Sequence, residues 1–133
     1  MSFINSFLSD TCAFLWWMED SPQLSPKVRA ILANRKNEIY LSAASAHEIA
    51  IKAAIGKLRL PEDPIRYVPA RLAYYGWRSL PVGINHAVFT FALPDHHRDP
   101  FDRLLVAQSM LEGMPLLTPD PQIAKYSVQT IWD

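Results

Sequence analysis

Four acidic residues fall where their side chains could do chemistry together: Asp10, Glu48, Asp102 and Asp120. Each lies at the end of a strand-like segment, or just inside a helix-like segment that follows one. In a sheet of parallel strands those positions share one rim, the carboxyl edge, where functional crevices form. Like charges crowded there repel one another and raise some of their pKa values, so such a group needs something positive in it. Carboxylate oxygens suit Mg2+ or Mn2+ rather than zinc. An ion held that way neutralises phosphate charge, activates water and steadies a leaving oxygen, which is metal-assisted phosphodiester hydrolysis.

Three of the four acids also have a purely structural explanation. Ser45-Ala-His-Glu48 has the form of a capping box, in which the acid reaches back to the cap backbone. Asp99-Pro-Phe-Asp102 and Asp120-Pro121 are good helix starts, favoured by the helix dipole. Asp10 is the exception, because it interrupts an apolar N-terminal stretch where a carboxylate has to find a partner. Other reactive side chains carry weaker cases. Cys12 as a nucleophile would need a base beside it, and a buried inert thiol is the plainer reading. The pair His96-His97 suggests a loop at the rim of the acidic site more than a transition-metal site, since adjacent side chains point apart. Trp16-Trp17 and the apolar stretch over residues 84–93 fit either core packing or an interface.

Elements to position these residues can be read along the chain. Strands are expected over residues 3–9, 38–42, 78–82, 115–118 and 128–132, from β-formers and short apolar runs. Helices are expected over residues 11–18, 45–55, 85–93 and 100–112, and from Pro26 to about Asn34. Another runs from Asp63-Pro64 to near Gly76, and a brief one follows Asp120-Pro121. Strands alternate with helices throughout, which favours a parallel sheet covered on both faces.

The chain has 133 residues, enough for one domain with its own core but not for two, so residues 1–133 are read as a single domain. Half the residues are hydrophobic, which excludes global disorder. Lys and Arg number 13, as do Asp and Glu, so bulk electrostatics cannot hold nucleic acid. Contact with phosphates must be local or go through a bound cation. A lone cysteine forms no intrachain disulfide, and a cytoplasmic protein is expected. The N-terminus lacks the basic region of a signal peptide, and the longest uncharged stretch, residues 79–94, is too polar to be a membrane span.

The residues also carry a resemblance, spread over nearly the whole chain. Asp10-Thr11 with Leu15-Trp16-Trp17 comes first, then Ser42-Ala-Ala-Ser-Ala-His-Glu48-Ile-Ala-Ile-Lys52 with Gly56-Lys57-Leu58. His97-Arg-Asp99-Pro-Phe-Asp102-Arg103-Leu-Leu-Val-Ala-Gln108 and Leu116-Leu-Thr118-Pro-Asp120 follow. In order and spacing these resemble the PIN-domain family, of the kind found as VapC-type toxins of type II toxin–antitoxin pairs. The resemblance implies a three-layer α/β/α sandwich with a mostly parallel sheet, and a Mg2+- or Mn2+-dependent endoribonuclease. It further implies a homodimer restrained by a cognate antitoxin. Asp10, Glu48, Asp102 and Asp120 match the family's four acids, with Asp10 and Asp102 as direct ligands and Glu48 and Asp120 completing the site, partly through water. Asp99 is a neighbour, Thr118 would orient water or a ligand carboxylate, and Lys52, Arg98 and Arg103 are phosphate contacts unless merely solvated. Ser9-Asp10-Thr11-Cys12 departs from the Leu-Asp-Thr-His of many relatives, though the four acids are kept. Two rival readings are a catalytically silent PIN fold that only binds a partner, and a phosphorylated receiver or phosphatase. The second is weakened by the lack of an acid adjacent to Asp10.

Overall fold

The computed structural model describes residues 5–133; the expected start of the first strand, at residues 3 and 4, lies outside them. In chain order the elements are β1 (Ser6–Ser9), α1 (Thr11–Met18), α2 (Pro26–Ala33), β2 (Glu38–Ser42) and α3 (Ala43–Ala54). These are followed by α4 (Pro64–Tyr75), β3 (Arg78–Leu80), α5 (Ile84–Phe89), α6 (Pro100–Glu112), β4 (Leu116–Leu117) and β5 (Thr130–Ile131). The five strands form one sheet in the order β3-β2-β1-β4-β5, and each of these neighbouring pairs is parallel.

Alternation along the strands builds two cores. Phe7, Ile39, Leu41 and Leu117 face one side, against Phe14 of α1, Val28 and Leu32 of α2 and Val68 of α4. Leu8, Tyr40, Leu80 and Leu116 face the other, against Leu105 and Val106 of α6. With a side-chain period of two, a strand covered on both faces has to be apolar at successive positions, as these are. The result is the expected α/β/α sandwich.

Most helix boundaries follow from local chemistry. Ser25 accepts from Val28 N at 3.1 Å ahead of Pro26, and Asp63 accepts from Arg66 N at 3.1 Å ahead of Pro64. In both, a polar cap satisfies a free N–H while proline fixes the first turn. Gly113 ends α6 at φ 68°, a left-handed conformation that costs glycine little.

One boundary corrects the sequence reading. α3 begins at Ala43 and its cap is Ser42, which accepts from Ala44 N at 3.0 Å. Two alanines, the best helix formers, let the helix start directly from the strand end. Ser45 is therefore no cap, and Glu48 lies in the second turn, its carboxylate free of backbone duty. Other elements are shorter than expected. β3 stops before Pro81, which has no N–H to give. α5 gives way at Thr90 to a 3-10 turn, and the segment after Asp120-Pro121 holds a 3-10 turn at Ile123–Lys125 rather than a capped helix.

Burial separates two leucines of α6. Leu105 is fully buried whereas Leu111 is 40% exposed. Leu105→Ala should cost about 2–5 kcal/mol in urea unfolding and Leu111→Ala under about 1 kcal/mol. Equal losses would mean that α6 does not present this face to the sheet.

Candidate active site

The carboxyl edge of the sheet gathers the acids. Asp10 directly follows β1 and caps α1, its Oδ1 accepting from Ala13 N at 2.7 Å. Its own N–H donates to Leu117 O at 3.1 Å, which ties the end of β1 to the end of β4. The residue is only 5% exposed. Burial pushes its carboxyl up to about 6, opposed by hydrogen bonds from Thr118 and the Ala13 amide and assisted by the charges of Asp120 and Glu48. Thr118 Oγ1 also accepts from Asp120 N at 3.2 Å, so one hydroxyl links the first and fourth acids.

Glu48 is buried against α1. Thr11 Oγ1 donates to its Oε1 at 2.7 Å, and Lys52, one turn on, donates to its Oε2 at 2.7 Å. That bond is the main reason the Lys52 ammonium is held above its usual range. Ser45, released from capping, is fully buried with its Oγ 2.9 Å from Thr11 Oγ1. The residues once read as a cap thus form a buried polar chain that fixes Glu48.

Asp102 sits in the first turn of α6 and Asp120 just beyond β4. Desolvation pushes the Asp102 carboxyl up to about 7, helped by Asp99, Glu48 and Asp10 and opposed by His97. Asp99 itself caps α6 through Phe101 N at 2.8 Å, so it does both jobs considered for it, as cap and as charged neighbour.

His97 enters the site more deeply than a rim position suggests. Its Nδ1 accepts from Asp99 N at 3.1 Å, which places the ring proton on Nε2. That Nε2–H donates to Asp120 Oδ2 at 2.8 Å and lies 3.3 Å from Asp102 Oδ2. His97, Asp102 and Asp120 offer donor atoms all within 4.8 Å of one another. Asp10 and Glu48 stand outside that triad but within electrostatic reach of Asp102. The signal available in the sequence was its place two residues before a cap, close enough to fold back onto the helix start.

Arg103 does not face the acids. Its guanidinium donates to Thr90 O at 2.8 Å, Pro94 O at 3.1 Å and Tyr126 Oη at 3.1 Å, with Leu93 O and His97 O at 3.4 Å. Tyr126 Oη in turn accepts from His97 N at 2.9 Å. Arg103 therefore binds down the loop that carries His97, and its fork of donors is taken up by that loop instead of by a phosphate. Cys12 is exposed, not buried as expected from sequence. Partial desolvation of the thiol and the nearby charges of Asp10, Glu48 and Asp102 push it up to about 11, so it is a poor nucleophile at neutral pH.

The donor set is suited to a hard divalent cation. Its oxygens come from four carboxylates, after β1, on α3, on α6 and after β4, and burial and mutual repulsion make the Asp10 and Asp102 carboxyls resist ionisation.

The PIN domain family model matches residues 7–129, and the chain belongs to that family. It is similar to Ribonuclease VapC16 of Mycobacterium tuberculosis, 39% identical over 85 residues, covering 58% of this chain. The match spans 59% of that relative's length. Among solved structures the fold resembles VapBC2 from Rickettsia felis bound to a DNA fragment from their promoter, with TM-score 0.70 at 12% identity, covering 96% of this chain and 99% of that one. It also resembles FitAcB from Neisseria gonorrhoeae, with TM-score 0.66 at 18% identity, covering 97% and 96%.

A pH dependence follows from the two raised carboxyls. An acid raised in the fold stabilises while protonated, and that contribution is lost as pH climbs through its folded value. In EDTA, the unfolding temperature should therefore fall between about pH 4 and about pH 7 and level off above that, and Asp102→Asn should recover roughly 5 °C of the loss. An unchanged slope in the variant would show that Asp102 is not crowded in solution.

Proposed function

We propose that the protein is a Mg2+- or Mn2+-dependent endoribonuclease acting as the toxin of a toxin–antitoxin pair. The observation that carries this reading is the gathering of Asp10, Glu48, Asp102 and Asp120 at one sheet edge, with the Asp10 and Asp102 carboxyls pushed up to about 6 and 7. The ribonuclease name of the similar Mycobacterium tuberculosis protein supports the chemistry. The VapBC2 and FitAcB structures support a paired antitoxin.

Asp10 and Asp102 would hold the cation, and Glu48 and Asp120 would complete its surroundings. Bound there, the cation supplies charge neutralisation at the scissile phosphate and a water acidic enough to attack it. The chain's own residues do the positioning. Thr118 holds Asp10 and Asp120 in a fixed relation, Thr11 and Lys52 hold Glu48, and the His97 ring N–H orients Asp120. Such pre-set geometry is where a hydrolase gains rate, because the groups need no rearrangement when charge develops. An antitoxin inserting a basic residue among these acids would silence the site by charge alone. A lone cysteine and a substrate of cellular RNA fit a cytoplasmic protein, and no helix among the described residues is long and apolar enough to cross a membrane.

A homodimer is part of the proposal. Ile84, Val88 and Phe91 are 83%, 66% and 97% exposed and follow one another at helical spacing. Apolar side chains on one stripe are a surface to be covered. Phe91→Asp should turn a dimer into a monomer in light scattering without lowering thermal stability; a wild type that is monomeric at micromolar concentration removes this part.

The nuclease is tested on a mixed cellular RNA pool, with and without Mg2+ or Mn2+, using wild type beside Asp102→Asn. Metal-dependent fragments should appear with wild type and fall at least about 100-fold in the variant, which should still fold. Folded, antitoxin-free wild type that leaves the pool intact with either metal would favour a silent binding module.

A further inference from the structure

Beside the acid cluster, α3 and the start of α6 enclose a cavity of about 360 Å3 whose walls are Ile51, Pro100 and Phe101, with Glu48 and Asp99 on the side shared with the active site. Lys52 and Arg98 complete its lining, and both residues are exposed to solvent. The cavity is mostly apolar, yet it leaves Ile51 39% exposed, which core packing does not require. Phe101 is braced from behind: the His47 ring meets it edge-on, with centroids 5.7 Å apart and planes at 68°.

Resting on the endoribonuclease reading, we propose that this cavity receives one unpaired nucleobase of a single-stranded RNA, next to the phosphate being cut. Phe101 supplies the stacking face, Ile51 and Pro100 the apolar walls, and Lys52 and Arg98 the charges for flanking phosphates. A formally neutral chain cannot attract RNA by its overall field, so these two cations and one stacking ring beside the acids are a local substitute. Stacking on an aromatic ring with cations along the backbone is how single strands are gripped, whereas a base inside a duplex is paired and stacked and cannot enter. The site then prefers loops and unpaired ends, and the buried base fixes which phosphate faces Asp10 and Asp102.

The test combines protein and RNA changes. Fluorescence anisotropy in EDTA measures binding of a short labelled single-stranded RNA, and the same RNA is scanned with one abasic residue at a time. For wild type, one abasic position should weaken binding about tenfold. Phe101→Leu should bind the intact RNA about tenfold more weakly and lose all sensitivity to that position, while Phe101→Trp keeps both. Ile51→Glu, on the opposite wall and away from α6, should match Phe101→Leu. Cleavage of the intact RNA with Mg2+ should show a raised KM and little change in kcat for Phe101→Leu. Uniform tolerance of abasic residues, absence of RNA binding by wild type, or wild-type KM in both pocket variants would overturn the proposal. The nuclease reading is separate: it fails if wild type does not cut, and stands if wild type cuts while the pocket variants behave normally.

Discussion

Repulsion among carboxylates at the carboxyl edge of the sheet constrains much of the surrounding structure. Parallel strands place every outgoing turn on one edge, so Asp10 after β1 and Asp120 after β4 are neighbours by topology, and the starts of α3 and α6 bring Glu48 and Asp102 beside them. Such an edge stays ordered only if each carboxylate is oriented by bonds that do not cancel its charge. Neutral hydroxyls and amides do most of this work: Ala13 N and Thr118 on Asp10, Thr11 on Glu48. A single ammonium, Lys52, reaches the cluster, and it binds the member on the outer side. A site neutralised by its own lysines and arginines would be more stable and would have no call for a cation.

The loop between α5 and α6 applies the same logic at longer range. His97 has to sit between Asp102 and Asp120 as a hydrogen-bond donor, and a loop broken by Pro94 has few backbone bonds of its own to keep it there. Arg103 and Tyr126 provide them: the guanidinium gathers carbonyls from Thr90 to His97, and the phenol oxygen accepts from the His97 N–H and from Arg103. An arginine one residue from Asp102, in the proposed site, would be expected to serve a phosphate. Here its partners are all protein, and its contribution to the site is the position of His97.

Fold and site were legible in the sequence to different depths. The alternation of strands and helices, the Pro-led helix starts and the terminating glycines depend on neighbours along the chain, and the structure follows them closely. The four acids could be placed on one edge because topology alone does that. What failed was the assignment of single bonds. Ser45 looked like a cap because the spacing to Glu48 fits one, but a cap position is decided by where the preceding strand ends, and Ser42 is held in β2 by its pairing with Leu80 of β3. Cys12 looked buried because its neighbours are apolar, yet on α1 it falls between Thr11 and Ala13, which turn inward, and faces out. His97 and Arg103 were visible as chemistry-bearing residues, while their partners, 23 residues away at Asp120 and at Tyr126, were not.

Formal neutrality has a consequence for the order in which ligands can assemble. Carboxylates crowded in a small volume repel an RNA phosphate and attract a divalent ion, and the formally neutral chain supplies no net positive field to compensate. Arg98 lies to one side, along the cavity against Phe101, and Lys52 reaches the same cavity from its bond to Glu48. A substrate can therefore be held there through a base and its outer phosphates before the scissile phosphate meets the carboxylates, but that last approach is uphill until a cation is present. On the proposed endoribonuclease reading, metal and RNA would favour each other's binding through charge alone, and that coupling would need no conformational change.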